Sequence, residues 1–163
     1  DIYYATQMDK FMTKDEILKA HEQYLGWLDF LDGMDEEKGS TPYREGKWTP
    51  KGIIMHLAEW DKFTLQERLP LMKEGEKHQA YPNFEDFNAK AAALAHEQTF
   101  KETLAHAKKQ REAIMAELQK IDEVEWDKYF YIGDHSSTIR NYFTDFIEHD
   151  LHHQKQITPE YNN

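Results

Sequence analysis

The sequence predicts an all-α fold, an antiparallel four-helix bundle with one crossover connection, on three observations. Four stretches carry apolar residues at helical spacing, hydroxyl residues stand where helices would start, and only seven Gly and five Pro punctuate 163 residues. With 39% hydrophobic and 13% aromatic residues, a chain of this length buries one core and makes a single domain over residues 1–163.

Each element has a local cause. Thr13-Lys14-Asp15-Glu16 forms a capping box, and Ile17, Tyr24, Leu25, Leu28 and Leu31 then keep helical spacing to near Met34. The second helix starts at the cap Thr49 with Pro50 in its first position, where the missing N–H costs nothing. Ile53, Leu57, Trp60 and Thr64 form its stripe; Pro70 ends or kinks it, and Gly75 closes the segment. A short helical piece over residues 84–94 leads into the third helix, with a break near the second capping box, Thr99 to Glu102. Leu104, Arg111, Ile114, Met115, Leu118 and Ile121 follow. The fourth helix begins at Ser137 or Thr138 and runs to Ile157, where Thr158-Pro159 stops it. The long connection between the second and third helices is the predicted crossover.

The net charge of −11 removes the usual electrostatic drive for nucleic-acid binding. The one basic cluster, Lys108-Lys109-Gln110-Arg111, reads as a solvated face of a Glu-rich helix. No stretch has the roughly 18–20 apolar residues of a membrane span. The opening Asp1-Ile2-Tyr3-Tyr4 lacks the pattern of a signal peptide. The absence of cysteine excludes disulfides and thiolate ligands, and it is compatible with a reducing cytoplasm.

Nine histidines are sorted by helical geometry. On a wheel centred on Ile139, the residues Tyr142, Phe143, Phe146 and Ile157 fall within roughly 60° of the centre and define the buried stripe. His153 lies about 40° and His149 about 80° to one side, one turn apart, where two imidazoles can share an ion. His152 points about 140° away, towards solvent. Asp150 lies about 20° from the centre, so a carboxylate there either orients a ligating imidazole or marks a stripe already exposed at that turn. His56, at the edge of the second helix's stripe, reads equally as a third ligand or as a hydrogen-bonded residue of the core edge. His21, His78, His96 and His106 have polar sequence neighbours and read as surface residues. His135, in the loop before the fourth helix, reads as a loop residue, with substrate contact or a fourth ligand as its alternatives. Three neutral imidazoles with open positions would suit Zn²⁺ or Ni²⁺.

The run from Lys47-Trp48-Thr49-Pro50 through His56-Leu57-Ala58-Glu59-Trp60 resembles the second helix of the DinB-like (DinB/YfiT-like metalloenzyme) superfamily. The run His149-Asp150-Leu151-His152-His153-Gln154-Lys155-Gln156-Ile157 resembles that family's closing signature. The resemblance implies a bundle of up-up-down-down type, often a homodimer, with metal ligands His56, His149 and His153. It also implies an enzyme acting on a small-molecule substrate, with thiol transferases that use low-molecular-weight thiols among the relatives. Hydrolysis at the same metal is equally compatible. The alternative is a non-catalytic bundle that binds a small molecule in stress or self-resistance. Gln154-Lys155 stands where many members carry Arg-Gly, which removes any substrate contact made by that arginine.

Overall fold

In the computed structural model, which describes residues 12–162, Thr13 caps the first helix, α1 (Lys14–Leu31), through the reciprocal box with Glu16. The signal-peptide reading of residues 1–4 lies outside the described residues. A single helical turn, α2 (Glu36–Gly39), follows, and its Glu36 carboxylate accepts from the Phe100 N–H at 2.9 and 3.0 Å. That contact places an anion on the open N-terminus of a later helix.

Thr49 and Pro50 start α3 (Pro50–Phe63) as the sequence predicts. The helix does not simply kink at Pro70. It first widens into a π-helical stretch, Thr64–Arg68, and then tightens into a 3₁₀ turn, Leu69–Leu71. The expected break in the third segment separates α4 (Phe84–Glu97) from α5 (Phe100–Lys120), whose start is capped by Thr99 and Glu102. Thr138 caps α6 (Ile139–Ile157). One feature was not foreseen. A small sheet joins β1 (Lys77–His78), parallel, to β2 (Phe130–Ile132), which pairs antiparallel with β3 (His135–Ser137). Strands of two or three residues are too short to show a period of two in sequence.

Side-chain contacts fix the helix directions. Lys14 reaches the Ile121 carbonyl while Glu36, beyond the other end of α1, meets Phe100, so α1 and α5 are antiparallel. Lys51 reaches the Gln98 carbonyl and Asp61 meets Arg111, so α3 and α5 are parallel. Thr64 meets Tyr142 while His56 meets His149, which sets α6 against α3. The Met12 carbonyl meets Arg140 and Trp27 meets Thr158, so α6 runs with α1. The bundle is therefore up-down-down-up, not up-up-down-down. The first connection turns at one end of the bundle, pinned by α2. The second contains α4, which runs back along α3, its Phe87 beside Trp60 and its Ala91 and Ala95 beside Met55. This is the predicted crossover.

Two apolar layers form the core, one around Trp126, Phe130 and Phe143, the other around Trp27, Leu57 and Phe100. Gly39 marks a tight approach: a Cβ there would stand 2.6 Å from the fully buried Phe100 ring. Gly39→Ala is expected to destabilise the protein by about 1–3 kcal/mol through overpacking, measured by urea unfolding; a midpoint unchanged from wild type would show that the ring moves freely. No helix among the described residues is long and apolar enough to cross a membrane.

Candidate metal centre

The three histidines come from two helices that run in opposite directions. His149 and His153 stack one turn apart on α6, and His56 faces them from α3, with ring centroids 5.8 and 5.5 Å away. One nitrogen from each lies within 4.8 Å of the other two. The Nε2 atoms of His149 and His153 are 3.1 Å apart. Two nitrogens bound to one ion at about 2.0–2.1 Å with tetrahedral angles stand roughly 3.4 Å apart, so this spacing, which is also that of a hydrogen bond between the rings, is compatible with two ligands. The donor set therefore fits a divalent transition ion.

Neighbouring groups prepare the imidazoles. The Gln156 side-chain oxygen accepts from His153 Nδ1 at 2.7 Å, which leaves the His153 Nε2 lone pair facing His149. Asn88 lies beside the buried Nδ1 of His56, and its side chain opposes the lowering of that histidine's pKa by burial. Burial lowers the pKa of all three histidines to about 4, and each is lowered further by a neighbouring histidine. They are thus neutral, and their lone pairs available, at physiological pH.

These shifts set a pH dependence. In the unfolded chain histidine takes its proton near pH 6.5, roughly. Between there and about 4 the metal-free unfolded state binds more protons than the native state. The contribution of these three histidines to native stability is therefore full above that window and falls as pH drops through it. Chelator-treated protein is expected to show this slope in urea midpoints. The variant His56→Gln/His149→Gln/His153→Gln is expected to flatten it, leaving the part due to His21 and His78, which burial also depresses, and the opposing part due to Asp61 and Asp150, whose pKa burial raises. An unchanged slope would show that these three histidines do not set it.

Beside the triad opens a cavity of about 590 Å³, bordered by His56 and His149 and walled by Trp60, Tyr81, Phe84 and Phe146. Trp60 stacks on Tyr81 at 6.0 Å and meets Phe84 at 5.8 Å, so one wall is a continuous aromatic face. Asn88, Ser136 and Ser137 supply polar groups along it. Tyr142 also lines the cavity; its hydroxyl pairs with Thr64 at 3.1 Å, and burial raises its pKa far above the ordinary phenol range. A smaller cavity, about 360 Å³, reaches the triad from the side of His153 and Gln156 and is lined by Tyr43, Lys47 and Trp48.

Beneath the triad lies a buried ion cluster. Arg111 of α5 donates from Nε and Nη2 to Asp61 at 2.9 and 3.1 Å, and from Nη1 and Nη2 to Asp150 at 2.6 and 2.8 Å. Its remaining donor faces His21 Nδ1 at 3.4 Å, and its plane lies 3.7 Å over the Tyr24 ring. Burial pushes both carboxyl pKa values up, against the pull of the guanidinium.

Several sequence expectations change here. Asp150 is buried, but both its oxygens accept from Arg111; its partner is a guanidinium, not an imidazole. Arg111 is fully buried rather than part of a solvated basic face. His21 is buried because it lies one turn after Ile17 on the inner side of α1, and His78 because β1 turns it inward to the Leu71 carbonyl at 2.9 Å. His96 and His152 are exposed as expected, while His106 is half-buried and pairs with Glu59 at 2.7 Å. His135 is exposed on β3 at the cavity's border, and the described three-histidine group does not include it. Asp61, Asn88 and Gln156 were not singled out in sequence.

The sequence profile of the DinB superfamily matches residues 20–157. The chain belongs to the DinB superfamily. Solved structures give the bundle fold independently. YfiT from Bacillus subtilis, described as "a probable metal-dependent hydrolase with an unusual four-helix bundle topology", aligns with a TM-score of 0.74 at 23% identity, covering 90% of this chain and 84% of its own. A Streptococcus pneumoniae protein aligns with a TM-score of 0.69 at 13% identity, over 92% of this chain and 91% of its own. An uncharacterized Clostridium difficile 630 protein aligns at 0.72 and 11% identity, over 92% and 96%. At these identities the likeness to this DinB member is one of fold. None of the curated proteins compared with the chain matches it.

Proposed function

We propose that this protein is a metal-dependent enzyme that holds one Zn²⁺ or Ni²⁺ through His56, His149 and His153 and acts on a small molecule bound in the aromatic cavity. The observation that carries this reading is the convergence of three neutral imidazoles at the border of that cavity. A purely structural zinc would have a closed shell of four protein ligands; among the described residues this group has three. An ion bound there supplies Lewis acidity, lowering the pKa of a water or a thiol at that point.

The chain's own residues do the rest. Trp60, Tyr81 and Phe84 offer flat apolar surface to a ring or acyl body, and burying it there excludes water. Ser136 and Ser137 can orient its polar groups. Tyr142, with its raised pKa, can donate a hydrogen bond but not act as a base. The description of YfiT supports hydrolysis. The second cavity at His153 supports transfer of a low-molecular-weight thiol to an electrophile, because two substrates then have separate approaches. Any such thiol comes from outside the described fold, since the sequence contains no cysteine.

Protein purified without an affinity tag is expected to contain close to one Zn or Ni per chain by elemental analysis. It should turn over an activated ester, or a thiol with an aryl halide, and lose that activity on chelation. Protein that stays metal-free after incubation with either ion would overturn the reading. Stabilisation by ligand with no turnover of either pair would favour a non-catalytic binding protein.

A further inference from the structure

We propose that Arg111 is a positioning residue for the metal centre, tying the two ligand-bearing helices together through Asp61 and Asp150. The inference rests on the metal-site reading above. Asp61 lies on α3, a little over one turn beyond His56, and Asp150 lies on α6 between His149 and His153. Arg111 is on α5, which supplies none of the three imidazoles. Its guanidinium has five N–H donors in a fixed plane, and four of the contacts they make form two forks, one to each carboxylate.

The clamp stands where packing is thinnest. α3 packs far more extensively on α5 than on α6, because the cavity opens between α3 and α6. Apolar contact therefore holds α3 to α5 and α6 to α1, and the ion cluster is the link that ties both α3 and α6 to α5. The rings of Tyr24 and Phe146, 3.7 and 4.9 Å from the guanidinium carbon, keep its plane from rotating. Stability alone does not account for such a cluster, since buried ion triads can be replaced by apolar residues without loss. Setting the distance from His56 to the other two imidazoles is what an apolar replacement cannot reproduce.

The test separates position from stability. In the full chain, Arg111→Met, Asp61→Leu and Asp150→Leu are combined, so no buried charge is left alone. This triple variant is expected to fold with a thermal midpoint at or above that of wild type. Its cobalt(II) affinity is expected to fall about 10–100-fold, the usual effect of losing a group that orients ligands, with an altered visible absorption spectrum. Arg111→Lys, which keeps the charge but makes only one fork's worth of contacts, is expected to weaken cobalt binding as well, and it decides the matter if the triple variant does not fold. Wild-type affinity and spectrum in a folded triple variant, or in Arg111→Lys, would overturn the clamp and leave the metal reading standing. A wild-type protein that binds no cobalt would remove both.

Discussion

Replacing Arg111 alone with methionine is expected to destabilise the fold by about 3–5 kcal/mol, a large share of the roughly 5–15 kcal/mol that holds a domain of this kind together. The single change leaves Asp61 and Asp150, 1% and 3% exposed, in the interior without their cation. The deficit should depend on pH. Burial already holds both carboxyl pKa values above the ordinary range, and removing the guanidinium takes away the opposing pull. A carboxyl whose native pKa is raised binds its proton more readily in the folded state. The stability lost by the variant is therefore greatest at neutral pH and is recovered as pH falls towards the ordinary carboxylate range. Urea unfolding of wild type and variant across that range measures it. A variant within about 1 kcal/mol of wild type at pH 7 would mean that water or a shared proton replaces the arginine.

The second large effect is on metal content. His149→Ala removes one of two nitrogens that stand 3.1 Å apart and leaves His56 and His153, on different helices, to hold an ion alone. Loss of a group that only orients ligands lowers affinity by about 10–100-fold, and loss of a ligand is expected to exceed that. Elemental analysis of untagged protein should therefore fall from near one ion per chain to a trace. The fold should survive, because His149 is half-buried, neutral, and at the border of a cavity rather than in the packed core. His152→Ala, at an exposed position one residue before His153, is the matched control and should keep its metal. Full metal content in His149→Ala would show that the three histidines do not act as one site.

The helices were legible because their starts are written in short-range chemistry. Thr13 with Glu16, Thr49 with Pro50, and Thr99 with Glu102 each satisfy free backbone groups within one turn, and each marks the observed start. His149 and His153 were legible for the same reason, since a spacing of four on one helix is a local property. What escaped depends on contacts between distant segments. Arg111 lies seven residues after Leu104 and three before Ile114, a stripe position, yet beside Lys108 and Lys109 it reads as one more solvated cation. Only the two carboxylates from α3 and α6 explain its burial. Asp150 was correctly placed towards the interior, but its partner comes from another helix. His21 sat on the inner face of α1 for anyone who continued the stripe from Ile17 through to Tyr24. The sheet and the direction of α3 relative to α5 depend on where α2 and α4 dock, and local periodicity does not encode that.

The path of the chain also orders the assembly of the site. Among the described residues, α6 is the last bundle helix, and it carries two of the three imidazoles, whereas α1 to α5 together supply one. A partly folded chain in which α6 is undocked keeps His56 on α3 apart from the His149–His153 pair on α6, so it offers an ion at most two of the three imidazoles together. Completion of the three-imidazole set and the docking of α6 against α3 are thus the same event seen in two ways. During refolding, the appearance of cobalt absorption would serve as a clock for the closing of the bundle, and free metal in the medium would act on the stability of that final step.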